Sequence, residues 1–299
     1  MLFLRRAVQL GVLSLVTVQL ASLFQAVHPF FDALAQFRLQ FTVLLAVGLF
    51  ILLAMRSWRV AGVTALSVAV GVIAMSPSIG NATPAAPQGR VFTLVQFNTL
   101  YKNPTPQAII DQIRAVNADA VTLQEIQPRN TAIIMEKLKA EYPQQRYCGY
   151  NSVAVLSRWP AIAEGCASKA GFGWLRLDVE GQEVTVASIQ LPWPWPFEQA
   201  KGVTNLEPVF RALPQPLIIA GDFNSAPWTH TLARVMEMTS TRIADGLRLT
   251  LKLDAVGLPP WPFLPIDHVL LPKGATAEVR VGDPAGSDHL PVIAHITLP

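Results

Sequence analysis

The residues best suited to chemistry lie in the stretch Pro216-Leu-Ile-Ile-Ala-Gly-Asp-Phe-Asn-Ser-Ala-Pro-Trp228. Four unbroken apolar residues, Leu217 to Ala220, have the pattern of a strand buried on both faces. Gly221 reads as the point where the backbone turns, and Asp222 and Asn224 follow just past the strand end. An acid and an amide on alternate positions point the same way, so they can hold one metal ion or one water between them. Three more acid-bearing strand ends occur: Glu125 in Leu-Gln-Glu-Ile, Asp267 in Pro-Ile-Asp-His, and Asp288 beside His289 in Gly-Ser-Asp-His-Leu-Pro. Singly, each is also readable as a cap, a turn residue or a surface charge. As a set they suit phosphoester chemistry. A phosphodiester is anionic and repels hydroxide, so a divalent cation must neutralise the charge that builds in the transition state. Carboxylate oxygens are hard ligands suited to Mg²⁺, and a histidine tuned by a carboxylate exchanges protons near neutral pH.

The elements that must position these residues can be read from periodicity. Residues 91–99 form a strand ending at Asn98, and Pro104 and Pro106 open a helix with Ile109, Ile110, Ile113 and Val116 on its apolar face. Residues 118–123 form the next strand and deliver Gln124 and Glu125; residues 131–140 form a second helix. Residues 174–179 and 183–191 alternate around Gly181-Gln182 as a β-hairpin. Helices are expected at 198–211 and 229–238, and strands at 266–271, 277–281 and 290–298. This mixture predicts an α/β fold, two sheets packed face to face with helices outside.

Taken in order, Phe-Asn-Thr at Asn98, Leu-Gln-Glu at Glu125, Gly-Asp-Phe-Asn at Asp222 and Ser-Asp-His-Leu-Pro at His289 resemble the endonuclease/exonuclease/phosphatase superfamily. The resemblance covers about residues 90–299 and implies a four-layered α/β sandwich that hydrolyses phosphoesters with Mg²⁺ or Mn²⁺. It implies Glu125 as the main metal ligand, with Asn98 near metal and phosphate. Asp222 and Asn224 would orient the attacking water and contact the phosphate. His289 would be held by Asp267, and Asp288 would support the metal or its waters. The chain departs from the pattern at Ala-Ser-Ile-Gln190, where many members carry a histidine. Glutamine can bind a phosphate oxygen but supplies neither a proton nor a charge. His268 faces away from Asp267 on a strand and is a poor substitute. His230 falls near a helix start, and His28 and His295 read as structural.

Charge separates the chain into two parts. Up to Met75, five arginines (Arg5, Arg6, Arg38, Arg56, Arg59) face one acid, Asp32, for a net of +4. From Ser76 onward, 18 Lys/Arg meet 19 Asp/Glu, for a net of −1, so overall charge gives no sign of a basic nucleic-acid-binding surface. Three apolar runs, residues 7–27, 39–55 and 60–75, are expected to be membrane helices, and the glutamines and later runs argue against a cleaved signal peptide. Arg5, Arg6, Arg56 and Arg59 place the N-terminus in the cytoplasm and everything after Met75 outside it, as in a bacterial periplasm. Trp58 suits an interfacial anchor. Residues 76–89, rich in Pro, Ala, Ser and Gly, read as a linker of 14 residues, spanning roughly 20 Å as a flexible coil. Cys148 and Cys166 flank a strand-like stretch and the Trp159-Pro160 turn; a disulfide across this hairpin and two buried thiols are both open.

Two aromatic loops flank the expected site, Pro192-Trp-Pro-Trp-Pro-Phe197 and Pro259-Pro-Trp-Pro-Phe263. Their rings either pack onto the body or line an apolar substrate cleft close to a bilayer. The sequence thus points to a membrane-anchored, metal-dependent phosphoesterase whose substrate is nucleic acid, phospholipid or a small molecule. The alternative is a non-catalytic membrane module that keeps the fold, for which Gln190 is the only support.

Overall fold

A computed structural model describes residues 2–79, 90–127, 132–168, 170–259 and 261–298. The leading segment folds as α1 (Leu2–Ala21), a short α2 (Pro29–Ala35), α3 (Arg38–Ala54) and α4 (Trp58–Ile79). Two stretches, Phe3–Phe24 and Trp58–Ser78, are long and apolar enough to cross a membrane. The middle run differs from expectation: α3 has only 17 residues, and it reaches spanning length only together with α2, across a 58° bend. The first helix ends before Val27, because the chain turns and His28 caps α2 by accepting from the Phe30 amide. Inside the bundle the Gln19 amide donates to Thr42 Oγ1 at 2.8 Å. A side chain at Gly71 would meet Gln19 Nε2 at 2.0 Å and Thr42 Oγ1 at 2.3 Å, so glycine there leaves room for that bond. Large apolar side chains such as Leu10, Phe50, Leu66 and Ile73 point outward, as in helices facing lipid. The Arg5 guanidinium donates to Arg56 O and Ser57 Oγ, so the start of α1 and the α3–α4 turn lie at one end of the bundle.

Residues 76–79, expected to open a linker, instead continue α4. Pro77 lacks the N–H that would serve the carbonyl of Ile73, and Ser76 Oγ donates to that carbonyl instead. The rest of the expected linker, residues 80–89, and Thr131 and Pro260 lie outside the described residues.

From residue 91 the chain forms β1 (Val91–Asn98), α5 (Pro106–Val116), β2 (Ala120–Gln124), α6 (Ala132–Lys137), β3 (Gln144–Cys148), β4 (Val153–Ser157), β5 (Ala161–Cys166), β6 (Gly171–Val179) and β7 (Gln182–Gln190). Then follow α7 (Gln199–Ala212), β8 (Leu217–Asp222), α8 (His230–Thr239), β9 (Thr241–Ile243), β10 (Leu251–Lys252), β11 (Pro262–Leu264), β12 (Asp267–Pro272), β13 (Thr276–Val281) and β14 (Val292–Thr297). One six-stranded sheet has the order β13-β14-β1-β2-β4-β3, the other β5-β6-β7-β8-β12-β9. Their inner faces share a core that includes Leu94, Val186, Ile218 and Val292. The outer face of the first sheet is covered by α5 and α6 through Ile109, Ile113 and Ile134. The outer face of the second is covered by α7 and α8 through Val203, Phe210 and Val235. The result is the expected four-layered sandwich.

The edge strands β3 and β5 are tied by a Cys148–Cys166 disulfide, with Cα atoms 5.7 Å apart. It is not the hairpin bridge the sequence suggested, because β4 and β5 diverge after Trp159-Pro160 into different sheets. The bond therefore staples sheet to sheet.

The leading segment is docked on this sandwich. Trp228 Nε1 donates to Ala35 O at 2.7 Å, Gln40 Nε2 to Phe263 O at 2.7 Å, and Ser78 Oγ to Pro227 O at 3.0 Å. Phe30 meets Trp195 edge to face at 5.1 Å between ring centres. Met75, Trp228 and Ala226 close a small shared apolar cluster.

Candidate active site

Two parallel strand pairs determine where the polar residues collect. In register, Asn98 of β1 faces Gln124 of β2, and Gln190 of β7 faces Asp222 of β8. Asp267 opens antiparallel β12 directly beside Asp222. His289 lies in the segment leading into β14, bridged to Leu251. All five site-bearing strand ends therefore converge on one edge of the sandwich. Gly221 stays within β8 rather than turning; a Cβ there would lie 2.0 Å from Ile189 O, so glycine permits the close approach of β7. The turn comes at Asn224, whose φ of 45° is left-handed, as is that of Glu125 at 59°.

The side chains meet as follows. Asn98 Nδ2 lies 3.1 Å from both Glu125 Oε1 and Asp222 Oδ2, and its Oδ1 accepts from the Leu100 amide. Asn98 thus turns its nitrogen to the carboxylates, which makes it a donor to the acidic group in this arrangement. Gln190 Nε2 also donates to Glu125 Oε1, at 3.1 Å, and its buried Oε1 has no hydrogen-bond partner. Asp222 Oδ1 accepts from the Asn224 amide at 2.8 Å, and Asn224 Nδ2 donates to Leu191 O at 2.8 Å. Asp267 Oδ2 pairs with His289 Nδ1 at 2.7 Å, which leaves Nε2 directed toward Asp222 Oδ2, 3.9 Å away.

Burial opposes a charged imidazole, but Asp267, Asp222 and Asp288 outweigh it and raise His289 to about 10. Burial, with Asp267 and Glu125 adding repulsion against the pull of His289, raises Asp222 to about 7. The Asp288 carboxyl is also raised, by burial first and then by Glu125. This much acid in one dry corner makes each further negative charge costly. Carboxylates of this kind are the hard oxygen donors that fit a divalent cation, and Asp222, Asp267 and His289 present ligand-type atoms within 4.8 Å of one another. Asp267 and His289 engage each other, and Glu125 lies within reach of Asp222 through their shared donor Asn98 Nδ2.

His268 is buried, bonds Ser225 O through Nε2 at 2.7 Å, and is lowered to about 4 by burial. It stays neutral and structural. His230 is the first residue of α8, and His295 pairs with Thr93 Oγ1.

Sequence reasoning missed the layer beneath the site. Gln96 Nε2 bridges Asp267 Oδ1 and Gln124 Oε1, Gln124 Nε2 reaches Ser188 Oγ, and Ser287 Oγ donates to Asn98 O. All are buried, and two of them, Gln96–Asp267 and Gln124–Ser188, cross from one sheet to the other. For Gln96, Gln124 and Ser188 the signal was a lone polar residue inside an apolar strand, and Ser287 lay within the Gly-Ser-Asp-His loop. It also missed Asp32 and Gln36 of the leading segment. Asp32 accepts from the His230 and Thr231 amides at 2.7 and 3.0 Å, capping α8 from a distant segment. Gln36 accepts from the Ala226 amide at 2.6 Å and donates to Asn224 O at 3.2 Å. The backbone of a site residue is thereby held by a helix of the leading segment.

Residues 95–289 match the sequence profile of the Endonuclease/Exonuclease/phosphatase family. No curated protein matches the chain. Among solved structures, sphingomyelinase C from Streptomyces griseocarneus aligns with a TM-score of 0.52 and 18% identity, covering 69% of this chain and 99% of that one. A Staphylococcus aureus beta toxin mutant with bound magnesium ions aligns at 0.53 and 15% identity, covering 69% and 99%. D. rerio TDP2 complexed with single strand DNA product aligns at 0.56 and 14% identity, covering 70% and 99%. At these identities the likeness is one of fold.

Proposed function

Because this chain belongs to the endonuclease/exonuclease/phosphatase family, we propose that it is a membrane-anchored phosphoesterase that uses Mg²⁺ or Mn²⁺ and acts outside the cytoplasm. The observation that carries this reading is the convergence of Glu125, Asp222 and Asp288 beside a His289–Asp267 pair held at 2.7 Å. Glu125 is the main ligand, supported by Asp288, with Asn98 donating to Glu125 and Asp222. When bound, the cation neutralises charge on the phosphoryl oxygens.

The chain's own groups do the rest. Asp267 fixes the tautomer and orientation of His289, so Nε2 is the atom that exchanges a proton with a reacting oxygen. Asp222 and Asn224, locked in one tight turn, orient the attacking water and meet the phosphate. Gln190 donates to Glu125 and offers its remaining N–H to a phosphate oxygen.

Two independent features favour an extracytoplasmic catalytic domain. The arginines at the start of α1 and at the α3–α4 turn share one end of the bundle, the distribution expected for the cytoplasmic side. The Cys148–Cys166 disulfide suits an oxidising compartment. Purified full-length protein should hydrolyse bis(p-nitrophenyl) phosphate with Mg²⁺ or Mn²⁺, and Glu125→Ala should remove that activity. Absence of turnover on soluble ester, oligonucleotide and phospholipid alike would instead favour a non-catalytic module.

A further inference from the structure

Beside the acidic cleft lies a second, differently built cavity. The cleft itself is about 440 Å³ and is lined by Glu125, Gln190 and Asn224, with Trp193 and Phe197 on one side. The neighbouring pocket is about 190 Å³ and is walled by Ala33 and Phe37 of the anchor, by Trp193 and Phe197, and by Leu264. Trp193, Phe197 and Asn224 line both, so the polar cleft and the apolar pocket adjoin across these residues. One wall of the pocket exists only because α2 is docked on the Asn224 turn through Gln36.

Building on the phosphoesterase reading, we infer that the pocket receives a hydrocarbon chain of a membrane lipid whose phosphoester lies in the acidic cleft. The first argument is position. The pocket sits where α2 bends into the apolar α3, so its occupant arrives from the bilayer side of the molecule. Phe24, Phe197 and Trp261 are more than half exposed in this part of the chain, a pattern expected where rings meet an interface. The second argument is chemistry. Apolar walls desolvate an alkyl chain favourably and offer nothing to a sugar-phosphate backbone. Among the described residues lining either cavity there is no lysine or arginine. A nucleic acid tracks cationic groups along its backbone, whereas a lipid presents a single phosphoester and needs only the cation site.

Filling the pocket tests this. Full-length wild type and Ala33→Trp, with the milder Ala33→Leu beside it, are reconstituted in nanodiscs. Each is assayed with Mg²⁺ and Mn²⁺ on long-chain phosphatidylglycerol and phosphatidylethanolamine, bis(p-nitrophenyl) phosphate and a single-stranded oligonucleotide. The expected result is a fall of about tenfold in the ratio of lipid to soluble-ester kcat/KM for Ala33→Trp, mostly through KM, with a smaller fall for Ala33→Leu. An unchanged ratio, or wild type that cleaves oligonucleotide but no lipid, overturns the inference while leaving the phosphoesterase reading intact. Wild type that cleaves none of the substrates overturns the phosphoesterase reading. In that case photolabelling of full-length His289→Ala by a phospholipid carrying a diazirine on its acyl chain decides. Label on the peptides containing Ala33 or Trp193 supports the pocket, and label confined to the outer faces of α1, α3 and α4 refutes it.

Discussion

The two halves of the candidate site are buried to the same degree but held in different ways. Asp267 and His289 are fixed entirely from within the sandwich: Gln96 and Thr250 bond Asp267, and Ser287 accepts from the His289 amide. Asp222 and Asn224 sit at the same edge, yet the turn that follows them is clamped from outside by α2 and α4. The Asp267–His289 pair thus belongs to the sandwich, whereas the Asp222–Asn224 turn is shared with the leading helices. A leading segment that looks like a tether is also a structural part of the site.

The largest effects should come from the internal half. His289→Ala is expected to lower kcat by about 10³-fold, and Asp267→Asn by a similar order, because the imidazole loses its fixed orientation. A loss below tenfold in steady-state assays would remove His289 from the chemistry. Severing the sheet-to-sheet disulfide with Cys148→Ser comes next. For a closed loop of this size the loss is about 3 kcal/mol of stability by the chain-entropy account, read by urea unfolding of the full chain in detergent. No change would mean that the shared core alone holds the sheets.

The clamped half should respond more gently. Gln36→Leu strands the Ala226 amide, which costs about 1–3 kcal/mol when left unpaired in a buried setting, and leaves the Asn224 carbonyl to Gln199 Nε2 of the sandwich. Turnover of bis(p-nitrophenyl) phosphate should fall about tenfold with KM little changed, since a sub-ångström shift at Asn224 misplaces the water. If turnover is unaffected, the anchor is a tether after all, and the comparison between the halves collapses.

The smallest effect is a pH dependence. Asp222 is raised from 3.8 to about 7, so the folded protein holds its proton more tightly than the unfolded chain does. Stability from this group is therefore lost as pH rises from about 4 to about 7. A cation that favours the ionised carboxylate should restore it. The rise in Tm on adding Mg²⁺ over EDTA is expected to be larger at pH 8 than at pH 5, by differential scanning fluorimetry. Equal shifts at both values would place the cation elsewhere.

Much of this site was readable from residue order. Glu125, Asp222, Asp267 and His289 each end or begin a strand, and an α/β sheet brings such ends to one edge whatever the details of packing. The apolar runs announced the long apolar helices for a similar reason, since length and hydropathy are local properties. The supporting residues were not legible. Gln96 and Gln124 look like interruptions of apolar strands until the second sheet is placed over them. The seven-residue α2 is too short for periodicity to reveal, and Asp32 read only as the one acid among five arginines.

What the sequence determined by itself, then, is which polar residues gather at one edge, which strands deliver them and which stretches are apolar enough to enter a membrane. Each of those follows from residue type and spacing within one or two elements. Tertiary structure alone decided that Cys148 and Cys166 join different sheets, that Gly221 yields space rather than a turn, and that Gln36 grips a backbone some 190 residues away. Those outcomes depend on which surfaces face each other after folding, and no local pattern encodes a partner that far along the chain.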